Sequence, residues 1–81
     1  MDIYDQTIDV LNTLRINTEE VTRETRLKED LEMDSTELIE IEIALEKHFA
    51  LPIDHVAFMH LSTFGDITQF IQSGLEDKSV R

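Results

Sequence analysis

Residues 25–49 read TRLKEDLEMDSTELIEIEIALEKHF, and the second half of this stretch decides the fold. Apolar residues recur at Leu38, Ile41, Leu45 and Phe49, the spacing of one face of an α-helix. Asp34 stands before that pattern and Glu37 follows three residues later. This is a capping box with Asp in the place of Ser or Thr, so a helix is expected to begin at Asp34. At about 100° per residue, the four core positions share one narrow sector. Thr36, Ile39, Glu40, Ile43 and Lys47 face the opposite way. Glu42 falls at the edge of the core sector, where an unpaired carboxylate is costly to bury. It is expected to reach solvent, with His55 or His60 within approach.

Upstream, Ile3, Val10 and Leu14 form one helical stripe with Leu11 beside it, which predicts a helix from Asp2 to about Ile16, capped by Asp2. Between Asn17 and Met33 the periodicity fades. Val21, Leu27 and Leu31 are spaced like anchors pinning a long loop to a core. Downstream, Leu51, Pro52 and Ile53 end the central helix, and a short third helix is expected near His55 to Leu61. Thr63 and Asp66 offer a second capping pair for a fourth helix, from Phe64 to about Gln72, burying Phe64, Ile67, Phe70 and Ile71. Gly74 is read as its stop. The expected fold is all-α: a four-helix bundle of three longer helices and one short helix, with a long first loop. Residues 1–74 make one domain and residues 75–81 a flexible C-terminal tail.

Eighty-one residues suffice for one small core. The chain carries 18 Asp and Glu against 7 Lys and Arg, for a net charge of −11. Such a surface repels nucleic acid and anionic lipid and draws in basic protein patches. There is no Cys, which excludes disulfides, thiolate metal sites and a cysteine nucleophile. Any thioester sulfur must therefore come from an attached group. No apolar run is long enough to span a membrane, and residues 1–6 lack the layout of a secretion signal. A cytoplasmic monomer is expected, with neither nucleic acid nor membrane as partner.

Ile39 and Ile43 put two large apolar side chains on the solvent face of the central helix, one turn apart. Glu37, Glu40 and Glu46 surround them. An apolar centre with a charged rim has the form of a docking patch. The plainer reading is packing against the protein's own loop or third helix.

The loop Leu27-x-x-Asp30-Leu31, the Asp34-Ser35 pair, the following Ala44-Leu45-Glu46-x-x-Phe49 and Ser62-Thr63 before the last helix together resemble the acyl carrier protein family. That family's signature is Asp-Ser-Leu at the start of the second helix, preceded by a Leu-x-x-Asp-Leu-Gly loop. The resemblance runs from the first helix to about Gln72. It implies that Ser35 accepts 4′-phosphopantetheine from coenzyme A, transferred by a separate phosphopantetheinyl transferase, and that Asp34 helps to position transferase and metal. It also implies partner recognition by Thr36, Glu37, Ile39, Glu40, Ile43 and Glu46. The partners implied are acyl-pathway enzymes with basic docking patches: ketosynthase, acyltransferase or ligase, reductase and dehydratase. The protein would be a carrier of fatty-acid, polyketide or related specialised acyl intermediates, and not itself an enzyme.

Several positions depart from the family pattern. Thr36 replaces the large apolar residue, Glu32 the loop glycine, and Lys47 a commonly acidic residue. The third helix, with His55, Val56, Phe58, Met59 and His60, is unusually apolar and basic. These changes favour a dedicated carrier of a specialised pathway. Phe49, Phe58 and Ile71 are candidates to line a pocket for the acyl chain. A calcium loop starting at Asp30 fails, because Ser35 and Ile41 occupy the positions that require Gly and Glu. Ser35 lacks a Gly-x-Ser-x-Gly elbow, and His48, His55 and His60 have no recognised metal spacing, so no catalytic or metal-ligating residue is assigned. His48 is read as a packed or surface residue. The alternatives are an acidic helical interaction module without a prosthetic group and a peptidyl or aminoacyl carrier.

Overall fold

The computed structural model describes residues 2–79. Four helices follow one another: α1 (Ile3–Thr13), α2 (Ser35–Phe49), α3 (His55–Met59) and α4 (Phe64–Ser79). α1 packs on α2 and α4, and α3 packs on α2. Leu11, Ile41, Leu45, Phe64, Ile67 and Ile71 are sealed at the centre. Burial of each such side chain stabilises the fold by roughly 1.5–3 kcal/mol before chain entropy is charged against it.

The helix starts follow from local chemistry. The Asp2 carboxylate accepts the Asp5 N–H at 2.8 Å. Asp34 accepts the Glu37 N–H at 2.9 Å, and the Glu37 carboxylate accepts the Asp34 N–H at 3.4 Å, which completes the expected capping box. Asp54 caps the five residues of α3 by accepting from Val56 and Ala57. At α4 the Thr63 hydroxyl accepts the Asp66 N–H, while the Asp66 carboxylate accepts from Ser62 and Thr63, each at 3.1 Å.

The helix ends are less ordinary. α1 and α2 both close through residues in the left-handed region, Arg15 (φ 65°) and Ala50 (φ 50°), and Glu32 in the first loop is a third (φ 54°). Neither glycine takes a positive φ. Glu32 stands where the resembled pattern has glycine, so the backbone shape of that loop persists without the residue that adopts it most readily.

The long first loop is held at both ends. Val21 and Leu27 are buried and Leu31 half-buried, as the anchor spacing predicts. The Tyr4 hydroxyl donates to the Val21 carbonyl at 3.2 Å, and the Arg23 guanidinium lies 4.7 Å from the Tyr4 ring centre. Three backbone bonds sew the loop to the start of α4: Leu27 N–H to Ser62 O (2.9 Å), Phe64 N–H to Thr25 O and Gly65 N–H to Arg23 O (both 2.8 Å). A Cβ on Gly65 would come within 2.9 Å of the Arg23 carbonyl oxygen, so the close approach requires glycine.

The expected bounds of α4 and α3 are corrected here. α4 does not stop at Gly74 but continues through it to Ser79. Gly74 faces Leu51, and an added Cβ would lie 2.8 Å from Leu51 Cδ2, so this glycine makes room for a neighbour and does not end the helix. Residues 75–79 of the expected tail are helical, with Leu75 against the core, and Val80 and Arg81 lie outside the described residues. Likewise α3 ends at Met59, two residues short of Leu61.

Candidate functional site

Ser35 is the first residue of α2 and is exposed. Its position follows from the capping box. Because Asp34 performs the cap, its carboxylate is committed to the Glu37 N–H, and the next residue opens the helix. A rigid helix start fixes the direction of the Ser35 side chain while leaving it open to solvent. The α2 dipole favours negative charge there, although Asp34 and Glu37 oppose that effect.

The remaining sequence-predicted residues divide into two groups. Thr36, Glu40, Ile39 and Ile43 are exposed on the outer face of α2, the isoleucines at 38% and 46% of their full accessible area. Glu37 and Glu46 have internal work as well. Glu37 closes the capping box, and one Glu46 carboxylate oxygen accepts the Ile53 N–H at 3.0 Å across the turn between α2 and α3. Glu46 therefore holds that turn in place as well as standing near the exposed Ile39–Ile43 stripe.

Val56 on α3 is a further exposed apolar residue, at 64%, that the sequence reading did not single out as such. A signal was available. Asp54 caps α3 and Phe58 is its buried residue, so Val56, about 200° away around the helix, must point outward.

Glu42 departs from its expectation. It does not reach solvent: it is 7% exposed, and its Oε1 lies 2.7 Å from His55 Nδ1. α3 carries His55 over the carboxylate, which replaces lost hydration with a charge-assisted hydrogen bond. His60 does not take part, and its Nδ1 bonds the Val56 carbonyl instead. His48 is an exposed residue whose Nε2 lies 3.1 Å from Gln6 Oε1. Of the three candidates for an acyl pocket, Phe58 and Ile71 are packed tightly in the core, whereas Phe49 lies at its edge, with its ring centre 4.8 Å from that of His48. A cleft of about 600 Å³ lies elsewhere, between the end of α1, the first loop and the Glu37 flank of α2.

Two carboxylates, Asp30 in the first loop and Asp66 at the start of α4, are held below the usual range. Asp30 is lowered chiefly by the Arg26 backbone N–H at 2.8 Å, then by the Arg26 guanidinium, whose own pKa is raised in return. Asp66 is lowered by the backbone N–H groups of Thr63 and Ser62.

The candidate site is thus an exposed serine opening a capped helix in an acidic helical bundle. Residues 9–71 match the family model described as "Phosphopantetheine attachment site". The chain is 34% identical to the acyl carrier protein of Wolinella succinogenes over 74 residues, covering 90% of this chain and 97% of that protein. It is 30% identical over 66 residues to that of Phytoplasma australiense, covering 82% and 87%. It is 32% identical over 62 residues to that of Thermotoga maritima, covering 76% of each. The chain belongs to the acyl carrier protein family, whose domain bears a covalent 4′-phosphopantetheine. Among the described residues no helix is long and apolar enough to cross a membrane.

Proposed function

We propose that Ser35 is the residue that carries the phosphopantetheine arm, and that the exposed stripe of α2 presents the loaded arm to partner enzymes. The observation that carries this reading is the placement of Ser35 as the exposed first residue of α2, with the neighbouring Asp34 carboxylate already engaged in the cap. The arm supplies the thiol that this cysteine-free chain lacks, and that thiol bears acyl groups as thioesters. Ser35 anchors the arm; α2 aims it; the acidic rim draws a basic partner surface toward it. Tethering then raises the concentration of the acyl group at a docked active site.

In this reading Asp34 and Thr36 flank the surface on which the phosphopantetheinyl transferase sits. Ile39 and Ile43 form the apolar centre of partner docking, with Glu37, Glu40 and Glu46 at its rim. The partners are acyl-pathway enzymes with basic patches. The protein itself catalyses nothing and acts as a cytoplasmic monomer. Thr36, Lys47 and the apolar, histidine-bearing α3 favour a dedicated pathway over general fatty-acid synthesis, and efficient turnover of the loaded protein by a general fatty-acid ketosynthase would count against that.

Incubation with coenzyme A and a broad-specificity phosphopantetheinyl transferase tests the assignment. The intact mass is expected to rise by one phosphopantetheinyl group, and the Ser35→Ala variant to stay unchanged. Modification of that variant would refute the assignment.

A further inference from the structure

We infer that Glu42 and His55 close the seam between α2 and α3 against apolar chains, so that this carrier holds its acyl cargo outside the bundle and suits short or polar acyl groups. The inference rests on Ser35 as the attachment residue.

Helix geometry puts the arm over this seam. Glu42 follows Ser35 by seven residues and Glu46 by eleven, which places both within about 20° of Ser35 around α2. Glu42 lies about 10 Å further along the helix axis. Glu37, by contrast, lies about 200° around the helix, so the cleft beside it is on the far flank from the attachment point.

Both carboxylates under the arm bond to the α3 side. Glu42 Oε1 meets His55 Nδ1 at 2.7 Å, and Glu46 Oε2 accepts the Ile53 N–H at 3.0 Å. Beneath them Phe58 is sealed and meets Phe70 edge to face, with ring centres 6.4 Å apart. A hydrocarbon chain sliding between α2 and α3 would have to part the Glu42–His55 pair. It would leave a carboxylate that is 7% exposed against methylene groups, with neither water nor a cation to compensate it. A cargo bearing a hydroxyl or an amide N–H offers that carboxylate a donor and meets a smaller penalty. The His55 side chain is half-exposed, at 55%, and offers hydrogen bonding at the mouth of the seam.

The test loads the full chain from acetyl-coenzyme A and from octanoyl-coenzyme A with a broad-specificity transferase and measures thioester cleavage by hydroxylamine. Intact mass first reports whether each acyl arm is attached. In the wild type the octanoyl and acetyl thioesters are expected to react within about twofold of each other, while Glu42→Val slows octanoyl cleavage by about tenfold or more as the chain enters the opened seam. Glu42→Met serves in its place should the valine variant fail to fold. Octanoyl protection in the wild type would overturn the inference alone, as would equal reactivity in both wild type and variant. No mass gain from any donor would overturn the Ser35 assignment and this inference with it.

Discussion

Replacing Ala50 by glycine should stabilise the protein, and the size of the effect follows from one backbone angle. Ala50 ends α2 at φ 50° and ψ 47°, in the left-handed region. An L-residue with a Cβ costs roughly 1–2 kcal/mol there. Glycine removes that strain but loses about 0.5–1 kcal/mol through its greater freedom in the unfolded chain. The Ala50 methyl group is exposed and the backbone bond to the Glu46 carbonyl is one that glycine keeps, so little packing is lost. The net gain is about 0.5–1 kcal/mol, or roughly 2–8 °C in Tm for a domain of this size. Thermal unfolding followed by far-ultraviolet circular dichroism measures it. The same chemical change at Ala44, inside α2, should instead cost about 1 kcal/mol, because glycine is unfavourable within a helix. Opposite signs at the two alanines are the signature of the backbone argument. A Tm that falls in Ala50→Gly would refute it.

Three further outcomes follow from particular contacts. Gly65→Ala should destabilise by about 1–3 kcal/mol in urea unfolding, since its Cβ meets the Arg23 carbonyl oxygen, whereas Gly74→Ala should cost less, because the atom it meets is the movable tip of Leu51. The Asp66 carboxyl is lowered by the Thr63 and Ser62 N–H groups, so its contribution is complete above the usual carboxylate pKa of about 3.9 and is lost as pH falls through its lowered value. The stability advantage of the wild type over Asp66→Ala should therefore shrink on acidification below about pH 4, and an advantage that grew would contradict this. Ile43→Asp should leave Tm nearly unchanged, because the side chain is 46% exposed, yet weaken binding of the loaded protein to an acyl-pathway enzyme by about tenfold, measured by calorimetry.

The parts of this molecule that were legible in its sequence are those fixed by near neighbours along the chain. The start of α2 is one: Asp34 and Glu37 cap it through bonds spanning three residues, and Ser35 acquires its exposed position as a consequence. Leu38, Ile41 and Leu45 declare their burial by spacing alone. What escaped was set by partners on other elements. Gly74 reads as a helix stop until Leu51 is placed against it. Glu42 reads as solvent-seeking until α3 brings His55 to it, and Glu46 reads as pure surface until the Ile53 N–H meets its carboxylate. The left-handed turns at Arg15 and Ala50 also gave no warning, because the usual sign of such a turn is glycine and the chain places both of its glycines inside α4, whereas the one at Glu32 was signalled only by the glycine of the resembled pattern.

The central claim concerns one oxygen atom, Ser35 Oγ. Tandem mass spectrometry of the proteolysed protein, purified from cells that produce it naturally, reads the position of any arm directly. A phosphopantetheinyl group on the peptide containing Asp34-Ser35-Thr36, with the bond assigned to Ser35, is the predicted result. A group fixed to any other residue, or a protein that is uniformly bare, would contradict the account.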